Sequence, residues 1–477
     1  MTDQGAHGFD TGTTGITGSA GTAAGTERLT TRETAALLGV KPETVYAYVS
    51  RGQLSSVRAP GGRGSTFDAD EVRVLARRTG RREPLPAGGA DLVFRTGITL
   101  IDQDRYYYRG VDAGELALRH GYEEVAEWLW TGELRPGVRF SAPAQALVAA
   151  RRAVEALPAH SGTTDRLRVA VIAAAAADPL RFDLSPASVL DAARGMIPTL
   201  VGALRPAAGA PDGPVTGSGA APGDGPDGAG RAGTGPDPAD PDPTDPGIAA
   251  RLWPALTPRP ADAASLAVLD TALALLIDHD LAASTLAVRV AASAHAHPYA
   301  VVSAGLGALE GPLHGAASGL AHRMLREVVE RGGAAPVVAD HLRAGRRVPG
   351  LGHRLYQGED PRARVLFTLL EGVPEAASAL AAAHDVVSTA ARHVPLHANV
   401  DLALAVLSVS AGMPAEAGET VFAVARTAGW IAHALEEYAE RPLRLRPRGQ
   451  YTGPPPPQAM PAPATPPASG SGSTHAR

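Results

Sequence analysis

Three short strings between His279 and Arg446 each place a titratable side chain beside glycine, proline or asparagine. They are GPLHG at 311–315, VPGLGHR at 348–354 and NVD at 399–401. Residues flanked in this way usually lie in loops and at helix ends rather than in the middle of helices. His279 and the histidines of the first two strings, His314 and His353, are spaced by about 35 to 40 residues and precede the aspartate, so the pattern predicts acid–base chemistry assembled from distant segments.

The composition favours a mostly helical protein whose chemistry does not use sulfur. The chain has 477 residues, of which 44% are hydrophobic and only 4% aromatic. Alanine and leucine in long stretches with a 3.6-residue period predict helices, so we expect an all-α fold. The absence of cysteine excludes disulfides, thiolate metal ligands and thiol catalysis, and the single lysine, Lys41, argues against Schiff-base chemistry.

Charge and hydropathy patterns predict where the protein resides. The net charge of −5 gives no overall attraction to nucleic acid or to a membrane surface. The N-terminus lacks a charged segment followed by an apolar run, and no apolar stretch of about 18 residues is free of charge or proline. We therefore expect a soluble cytoplasmic protein without membrane contact.

A compact module is predicted at residues 27–83, after a Gly/Thr/Ala-rich segment (1–26) that we expect to be disordered. Thr30-x-x-Glu33 matches a capping box that opens a first helix, and Pro42 suits the first turn of a second. Two short strands around a glycine-rich turn and a third helix from Asp68 complete a winged helix-turn-helix pattern. The module has eleven Arg or Lys against seven Asp or Glu, a hint of nucleic-acid contact.

The string TTRETAALLGVKPETVYAYVSRGQL resembles the MerR/excisionase class of DNA-binding domains. This resemblance implies that the helix from Pro42 to Ser50 enters the major groove and that the wing meets phosphate groups. The candidate DNA contacts are Lys41, Thr44, Tyr46, Arg51, Arg58 and Arg63. The alternative is a small helical module that mediates protein contact or oligomerisation.

The rest of the chain predicts one long helical region at 91–453. Short strands or a hairpin and then a helix pair are expected at 91–135, and alanine-rich helices at 139–204. Residues 206–247 consist largely of Pro, Gly, Asp and Ala, which cannot bury enough apolar surface to offset the loss of chain entropy. We expect this insert, and the tail at 454–477, to be disordered.

Five strings within 91–453 resemble citrate synthase in the right order and spacing. GPLHGAAS is similar to the family's GPLHGGAN, VPGLGHRLYQGEDPRARVL to MGFGHRVYKNYDPRA, and HANVDLALAVLSVSAGMPAE to PNVDFYSG…LGIP. FAVARTAGWIAHALEE and RPRGQYTG match the family's closing segments. The resemblance implies a citrate synthase fold of a large and a small helical domain, the smaller at about 315–426, with the active site in the cleft between them.

The resemblance also implies condensation of acetyl-CoA with oxaloacetate, followed by hydrolysis of citryl-CoA to citrate and CoA. Asp401 would remove the α-proton of the thioester, while His314 and His353 would donate hydrogen bonds to the enolate oxygen and to the ketone. The other implied contacts are His279, Arg362, Arg426 and Arg446 for oxaloacetate, and Arg346, Arg347, Gly350, Leu351 and Gly352 for coenzyme A. No metal or other cofactor is implied. Arg446 would come from the partner subunit of a homodimer or a larger homo-oligomer.

Two alternative functions stay open at this point. One is a 2-methylcitrate synthase that uses propionyl-CoA, and the other is a DNA-binding transcriptional regulator with a citrate synthase-like sensor domain. Departures from the family's strings at Ala282, Ala316, Ser318 and Leu351 touch positions that orient the catalytic groups. They bear on rate and substrate preference more than on the class of reaction.

Overall fold

The computed structural model describes residues 28–38, 40–50, 52–58, 64–78, 94–102, 104–207, 246–311, 314–393, 396–445, 452–455 and 460. The predicted disordered segment 1–26 lies outside the described residues, as do nearly all of the insert 206–247 and of the tail 454–477. The chain divides into two compact units, residues 1–95 and 96–477, and each is described by itself.

The first unit has the predicted winged helix-turn-helix order. Its elements are β1 (Arg28–Thr30), α1 (Thr31–Leu38), α2 (Pro42–Ser50), β2 (Ser56–Arg58), β3 (Ser65–Asp68) and α3 (Ala69–Arg78). The capping box is present, because the Thr30 backbone N–H donates to the Glu33 carboxylate at 2.8 Å. Val45 and Phe67 are fully buried in a small core of their own.

Strand β1 was not predicted from the sequence. It pairs antiparallel with β3, with Leu29 opposite Phe67, and gives the sheet order β1-β3-β2. Three residues directly before a capping box carry too short a pattern to reveal a strand. Their partner lies almost forty residues further along the chain, so only tertiary pairing defines the element.

The second unit begins with a small antiparallel sheet and continues as helices. The strands are β4 (Thr99–Asp102), β5 (Arg105–Tyr108) and β6 (Val111–Asp112), in the order β4-β5-β6. The helices are α4 (Ala113–Arg119), α5 (Tyr122–Thr131), α6 (Ala144–Glu155), α7 (Thr163–Ala177), α8 (Pro186–Ala203), α9 (Ile248–Leu256), α10 (Ala263–Leu276), α11 (Ala283–Ser293), α12 (Pro298–Leu309), α13 (Ala317–Arg331), α14 (Ala334–Arg343), α15 (Pro361–Leu370), α16 (Ala377–Ala391), α17 (Val400–Ser410) and α18 (Ala417–Tyr438). A 3-10 turn, Pro374–Ala376, precedes α16. The predicted all-α character of this region is confirmed.

Helix α18 is the central support of the second unit. Most of its 22 residues are buried, and it packs against α5, α7, α8, α10, α11, α12, α13 and α17. Helices α13 to α17 pack mainly among themselves, while α15 also contacts α10. The division of this unit at about 315–426 stays a prediction.

Among the described residues, no single helix is both long enough and apolar enough to cross a membrane. One bent pair, Pro361–Leu370 with Pro374–Ala391, reaches the required length and composition when its two helices are counted together.

A glycine in α18 allows a loop to lie directly on the helix. A Cβ atom added to Gly429 would lie 2.0 Å from the backbone oxygen of Ile277, so the clash could be relieved only by moving the main chain of α18 or of the loop. By contrast, a Cβ at Gly307 in α12 would meet only the flexible end of Arg168, at 3.8 Å.

We expect Gly429→Ala to lower the free energy of unfolding by about 2 kcal/mol or more, because no change of side-chain rotamer can relieve a clash between the new methyl group and the main chain. The matched control Gly307→Ala adds the same methyl group to a helix with room for it, and should be neutral or stabilising by up to about 1 kcal/mol. Chemical denaturation of both variants measures the difference. Equal stabilities would contradict the close approach at Gly429.

Candidate active site

The loop that carries His279, between α10 and α11, is fastened from several sides. Arg426 Nε donates to the Leu276 carbonyl at 2.9 Å, and the Asp278 backbone N–H donates to the Tyr108 hydroxyl at 3.1 Å. The Asp278 carboxylate accepts from Thr99 Oγ1 at 2.6 Å and lies 3.1 Å from His433 Nε2. The backbone on either side of His279 is therefore fixed by groups from β4, β5 and α18.

The His279 side chain is buried among other rings of the site. Its Nε2 lies 2.7 Å from the Tyr356 hydroxyl, and its ring meets that of His353 edge-on at 5.1 Å. Burial, with Arg362 and Arg426 nearby, holds the pKa of His279 well below its ordinary value. The imidazole is therefore neutral at physiological pH.

A short backbone pairing brings the second histidine beside the predicted base. Gly350 and Gly352 both have a φ of +77°, a conformation that favours glycine. The Gly352 N–H donates to the His397 carbonyl at 2.7 Å, and the Asn399 N–H donates to the Gly350 carbonyl at 2.9 Å. His353 and the start of α17 therefore lie side by side.

His353 is a neutral imidazole with a defined tautomer. Burial, and then the Arg362 charge, lower its pKa to about 4. Its Nδ1 accepts from the Leu355 backbone N–H at 3.1 Å, so the proton of the neutral ring sits on Nε2. That nitrogen is the one that can donate to a ligand. Arg362 Nη2 lies 3.4 Å from it, and because both nitrogens then carry hydrogen, this is a close approach and not a hydrogen bond.

Arg362 and Asp360 form a buried ion pair at the N-terminus of α15. Arg362 Nη2 and Nε donate to the two carboxylate oxygens at 2.8 and 3.0 Å. The same carboxylate accepts from the Arg362 and Val400 backbone N–H groups, so it joins α15 to α17. Although burial favours its neutral form, Arg362 holds the pKa of Asp360 below the ordinary value.

Asp401 lies in the first turn of α17, where Asn399 caps the helix by accepting from the Asp401 N–H at 3.0 Å. Removal from water raises the pKa of its carboxyl group to about 6, although Arg362 partly opposes this rise. A carboxylate with such a pKa is a stronger base than an ordinary aspartate and is still ionised near neutral pH.

His314 approaches the cluster from the other side, before α13. Its Nε2 lies 2.8 Å from Ser284 Oγ, and its ring lies 6.4 Å from that of Phe422. Burial, and then the charge of Arg426, lower its pKa below the ordinary value. The Arg426 guanidinium stacks over Phe422 at 4.5 Å, and its buried Nη2 has no hydrogen-bond partner in the described part of the chain.

Comparisons with known proteins identify the family of each part of the chain. The family "Citrate synthase, C-terminal domain" matches residues 90–448, and a "Helix-turn-helix domain" family matches residues 28–79. The chain belongs to the citrate synthase family. The match to the smaller domain supports the helix-turn-helix reading of the first unit.

Individual relatives cover different shares of the chain. The citrate synthase of Haloferax volcanii is 38% identical over 191 residues, and citrate synthase 2 of Bacillus subtilis 37% over 189. These segments are 39% and 38% of this chain, and 49% and 50% of the relatives, so the chain spans about half the length of the curated relatives it matches.

Solved structures match over more of their length. Citrate synthase from Thermoplasma acidophilum, in ternary complex with carboxymethyl coenzyme A and oxaloacetate, is similar with a TM-score of 0.59 and 26% identity over 78% of this chain and 97% of that one. Citrate synthase from Thermotoga maritima gives a TM-score of 0.57 and 25% identity, over 78% and 96%.

The structure brings some of the predicted site residues together, while others are exposed or lie outside the described residues. His279, His353 and Arg362 contact one another or a shared neighbour. Through charge, Arg426 lowers the pKa of His279, and Arg362 opposes the raised pKa of Asp401. Arg346 and Arg347 are exposed in the segment after α14. Arg446, Arg51 and Arg63 lie outside the described residues.

The departures from the family's strings fall at helix starts and packing contacts. Ala282 and Ala316 are the N-cap residues of α11 and α13, and neither has a side chain that can cap. Ser318 is buried against Gly418, and Leu351 forms an isolated bridge with Ala398. None of the four contributes a charged group to the cluster.

Sequence reasoning missed several residues that the structure places at the site. They are Asp278, Ser284, Tyr356, Asp360 and His433. Tyr356 and Asp360 lie inside the string VPGLGHRLYQGEDPRARVL, whereas Asp278 and Ser284 lie close to His279 in the sequence. These residues stand close to the predicted site residues in the sequence, but their spacing does not reveal the tertiary contacts that give them a role. In the described ranges, no group of three or more His, Asp or Glu could hold a metal ion.

On the first unit, the structure shows which candidate DNA contacts are available. Lys41, Tyr46 and Arg58 are exposed, and Thr44 is half-buried. The Tyr46 hydroxyl lies 3.3 Å from Thr31 Oγ1 at the start of α1.

We expect Asp360→Asn to destabilise the protein by about 3 kcal/mol, because it leaves the buried Arg362 charge without its partner. Asp340→Asn removes a carboxylate from an exposed pair with Arg331 and should leave stability unchanged. Urea denaturation of the two variants at neutral pH makes the comparison. An Asp360 variant as stable as the Asp340 variant would show that the pair contributes nothing.

Proposed function

We propose that this protein condenses acetyl-CoA with oxaloacetate and hydrolyses the resulting citryl-CoA to citrate and CoA. The observation that carries the proposal is the buried Arg426 Nη2, which has no hydrogen-bond partner among the described residues. It lies in a cluster that already holds a second buried guanidinium and two neutral histidines. A buried donor without a partner is costly, and the carboxylate of a ligand would satisfy it.

In this proposal the keto acid binds as a dianion between cations and neutral donors. Arg426 takes one carboxylate, and Arg362 contributes the second positive charge while it stays paired with Asp360. Planar guanidinium groups suit such binding because they donate two parallel hydrogen bonds. His279 adds a neutral donor, and we assign Arg446 of a partner subunit to the same ligand.

The first chemical step is removal of a proton from the α-carbon of acetyl-CoA. The Asp401 carboxylate takes this proton, and the electron pair of the C–H bond moves to the thioester oxygen, which becomes an enolate. Neutral His314 donates a hydrogen bond to that oxygen. The lowered pKa of His314 and the raised pKa of Asp401 favour this division of roles.

The enolate carbon then attacks the ketone of oxaloacetate. A carbon–carbon bond forms, and the ketone oxygen gains negative charge that His353 Nε2–H stabilises by donation. Water hydrolyses the citryl thioester, which releases CoA and the new carboxylate. Coenzyme A itself is assigned to the loop Val348–Gly352, with Arg346 or Arg347 at its phosphates.

Propionyl-CoA is the alternative acyl donor, which would make the enzyme a 2-methylcitrate synthase. Its extra methyl group is carried on the carbon that Asp401 deprotonates, so both donors use the same catalytic groups. Rates of CoA release with each thioester, at equal oxaloacetate, decide between them.

We also propose that the active form is at least a homodimer. Exposed apolar side chains lie on and near a row of helices of the second unit in which α7 packs against α12 and α12 against α11. They include Ile172 on α7, with Leu286 and Val290 on α11, and Leu180 and Phe182 follow α7 directly. A second copy of the chain would cover this surface and bring its Arg446 to the site.

We expect Asp401→Asn to lower kcat at least about 100-fold, since a general base typically contributes this much or more. The measurement is CoA release with acetyl-CoA and oxaloacetate, and oxaloacetate binding by calorimetry should persist. In the unsubstituted enzyme, kcat should fall about tenfold per pH unit below about 6, because the base is active only when ionised. A variant as active as the parent chain would reject Asp401 as the base.

A second function, DNA binding by the first unit, is favoured by the exposure of Lys41, directly before α2, and of Arg58 on β2. We expect the full chain to bind double-stranded DNA taken from upstream of its own gene, with an affinity that falls as salt rises. Lys41→Ala and Arg58→Ala should each reduce the slope of log affinity against log salt by about one.

Fluorescence anisotropy with labelled duplex measures both the affinity and the slope. Arg343→Ala is the control, because Arg343 is an exposed arginine of the second unit. Absence of binding at low salt, or identical slopes for all variants, would favour the alternative module for protein contact.

A further inference from the structure

Tyr356 touches both His279 and His353, the two histidines proposed to contact the keto acid. It is almost fully buried, with 4% of its surface exposed. Its hydroxyl lies 2.7 Å from His279 Nε2, and its ring lies 4.8 Å from that of His353 at an interplanar angle of 35°. The guanidinium of Arg362 lies 5.9 Å from the centre of the same ring.

The two contacts differ in kind. The contact with His279 is a polar one made by the hydroxyl, whereas the contact with His353 is made by the face and edge of the ring. The tautomer of His353 is set by the Leu355 backbone, without help from Tyr356. The His279 ring, in contrast, has the Tyr356 hydroxyl as the partner of its Nε2.

A neutral buried imidazole requires such a partner. It has one donor and one acceptor nitrogen, and the hydrogen bond at one nitrogen decides what the other offers to a ligand. Burial, and then the charges of Arg362 and Arg426, lower the pKa of His279, so the orientation of this neutral ring depends on hydrogen bonds rather than on charge pairing. A bond to a rigid tyrosine fixes the ring angle, and because a hydroxyl can donate or accept, it satisfies Nε2 in either tautomer.

Tyr356 is itself held in place by its own loop. The Asp104 carboxylate accepts from the Gln357 N–H at 2.8 Å and from the Gly358 N–H at 3.0 Å. Asp104 belongs to the turn between β4 and β5, and its φ of +61° shows that this turn is tightly constrained. The hydroxyl of Tyr356 is therefore presented to His279 from a loop anchored on the small sheet.

We infer that Tyr356 is a positioning residue for keto-acid binding, acting through its hydroxyl on His279 and separately through its ring on His353. The inference deepens the proposed function and rests on it, since it assumes that His279 contacts the keto acid. It predicts that the two parts of the side chain are separable. Loss of the hydroxyl weakens only the binding of the keto acid, whereas loss of the ring also lowers the rate of the reaction.

The test compares Tyr356→Phe with Tyr356→Leu in the full chain. For Tyr356→Phe we expect the Kd and KM of oxaloacetate to rise about tenfold, the size expected when a buried hydrogen-bonding group loses its partner. The KM of acetyl-CoA and the unfolding temperature should stay unchanged. Tyr356→Leu should raise the oxaloacetate constants similarly and lower kcat in addition.

Tyr438→Phe is the matched control, because it removes a hydroxyl bonded to the Ala296 carbonyl at 2.6 Å, away from the site. It should leave both substrate constants unchanged. If the Tyr356 variants fail to fold, Asp104→Asn provides the second test. It loosens the loop without altering the tyrosine. The oxaloacetate Kd should rise about two- to fivefold, which is a smaller loss of affinity than that expected for Tyr356→Phe.

An oxaloacetate Kd for Tyr356→Phe within twofold of the parent value would overturn the inference. Parallel shifts in both substrate constants together with a lower unfolding temperature would also overturn it, because they indicate a structural role. Calorimetry separates these results from failure of the proposed reaction. A parent chain that binds oxaloacetate but releases no CoA would reject the reaction and still allow the comparison of binding.

Discussion

Two guanidinium groups buried in one cluster are the constraint on which the rest of this site depends. Arg362 is compensated by Asp360 through two short hydrogen bonds, whereas one nitrogen of Arg426 has no partner among the described residues. Burying two cations together is unfavourable unless anions are placed near them. Asp360 and Asp278 supply that compensation, and they do so from loops rather than from within the helices.

The same charges set the protonation of their neighbours. Arg362 and Arg426 add to burial in keeping His279, His314 and His353 neutral, so each offers a hydrogen bond without a positive charge. Asp401 experiences the opposite balance, because burial raises its pKa to about 6 more strongly than Arg362 lowers it. One cluster thus contains neutral donors and a strengthened base, the combination that proton removal next to a thioester requires.

Rigid positioning comes from helix α18 and from the small sheet. The helix carries Arg426, accepts the loop of His279 at Gly429, and binds Asp278 through His433. The sheet contributes Thr99 and Tyr108 to the loop before His279, and the turn at Asp104 to the loop after His353. The loops of His279 and His353 are each bound to an element that cannot shift without disturbing the core.

The sequence alone determined the helical class, the helix-turn-helix order and the family, because each depends on local periodicity or on a contiguous string. GPLHGAAS and the DPR string, for example, carry His314 and Arg362 with enough context to be recognised. Tertiary structure decided what those residues contact. The pairing of Asp360 with Arg362 and Val400, the bond from Tyr356 to His279 and the strand β1 join segments that are distant in the chain or face each other only after folding. Burial likewise shifts the pKa of Asp401, and burial is a property of the packed molecule rather than of any short stretch of sequence.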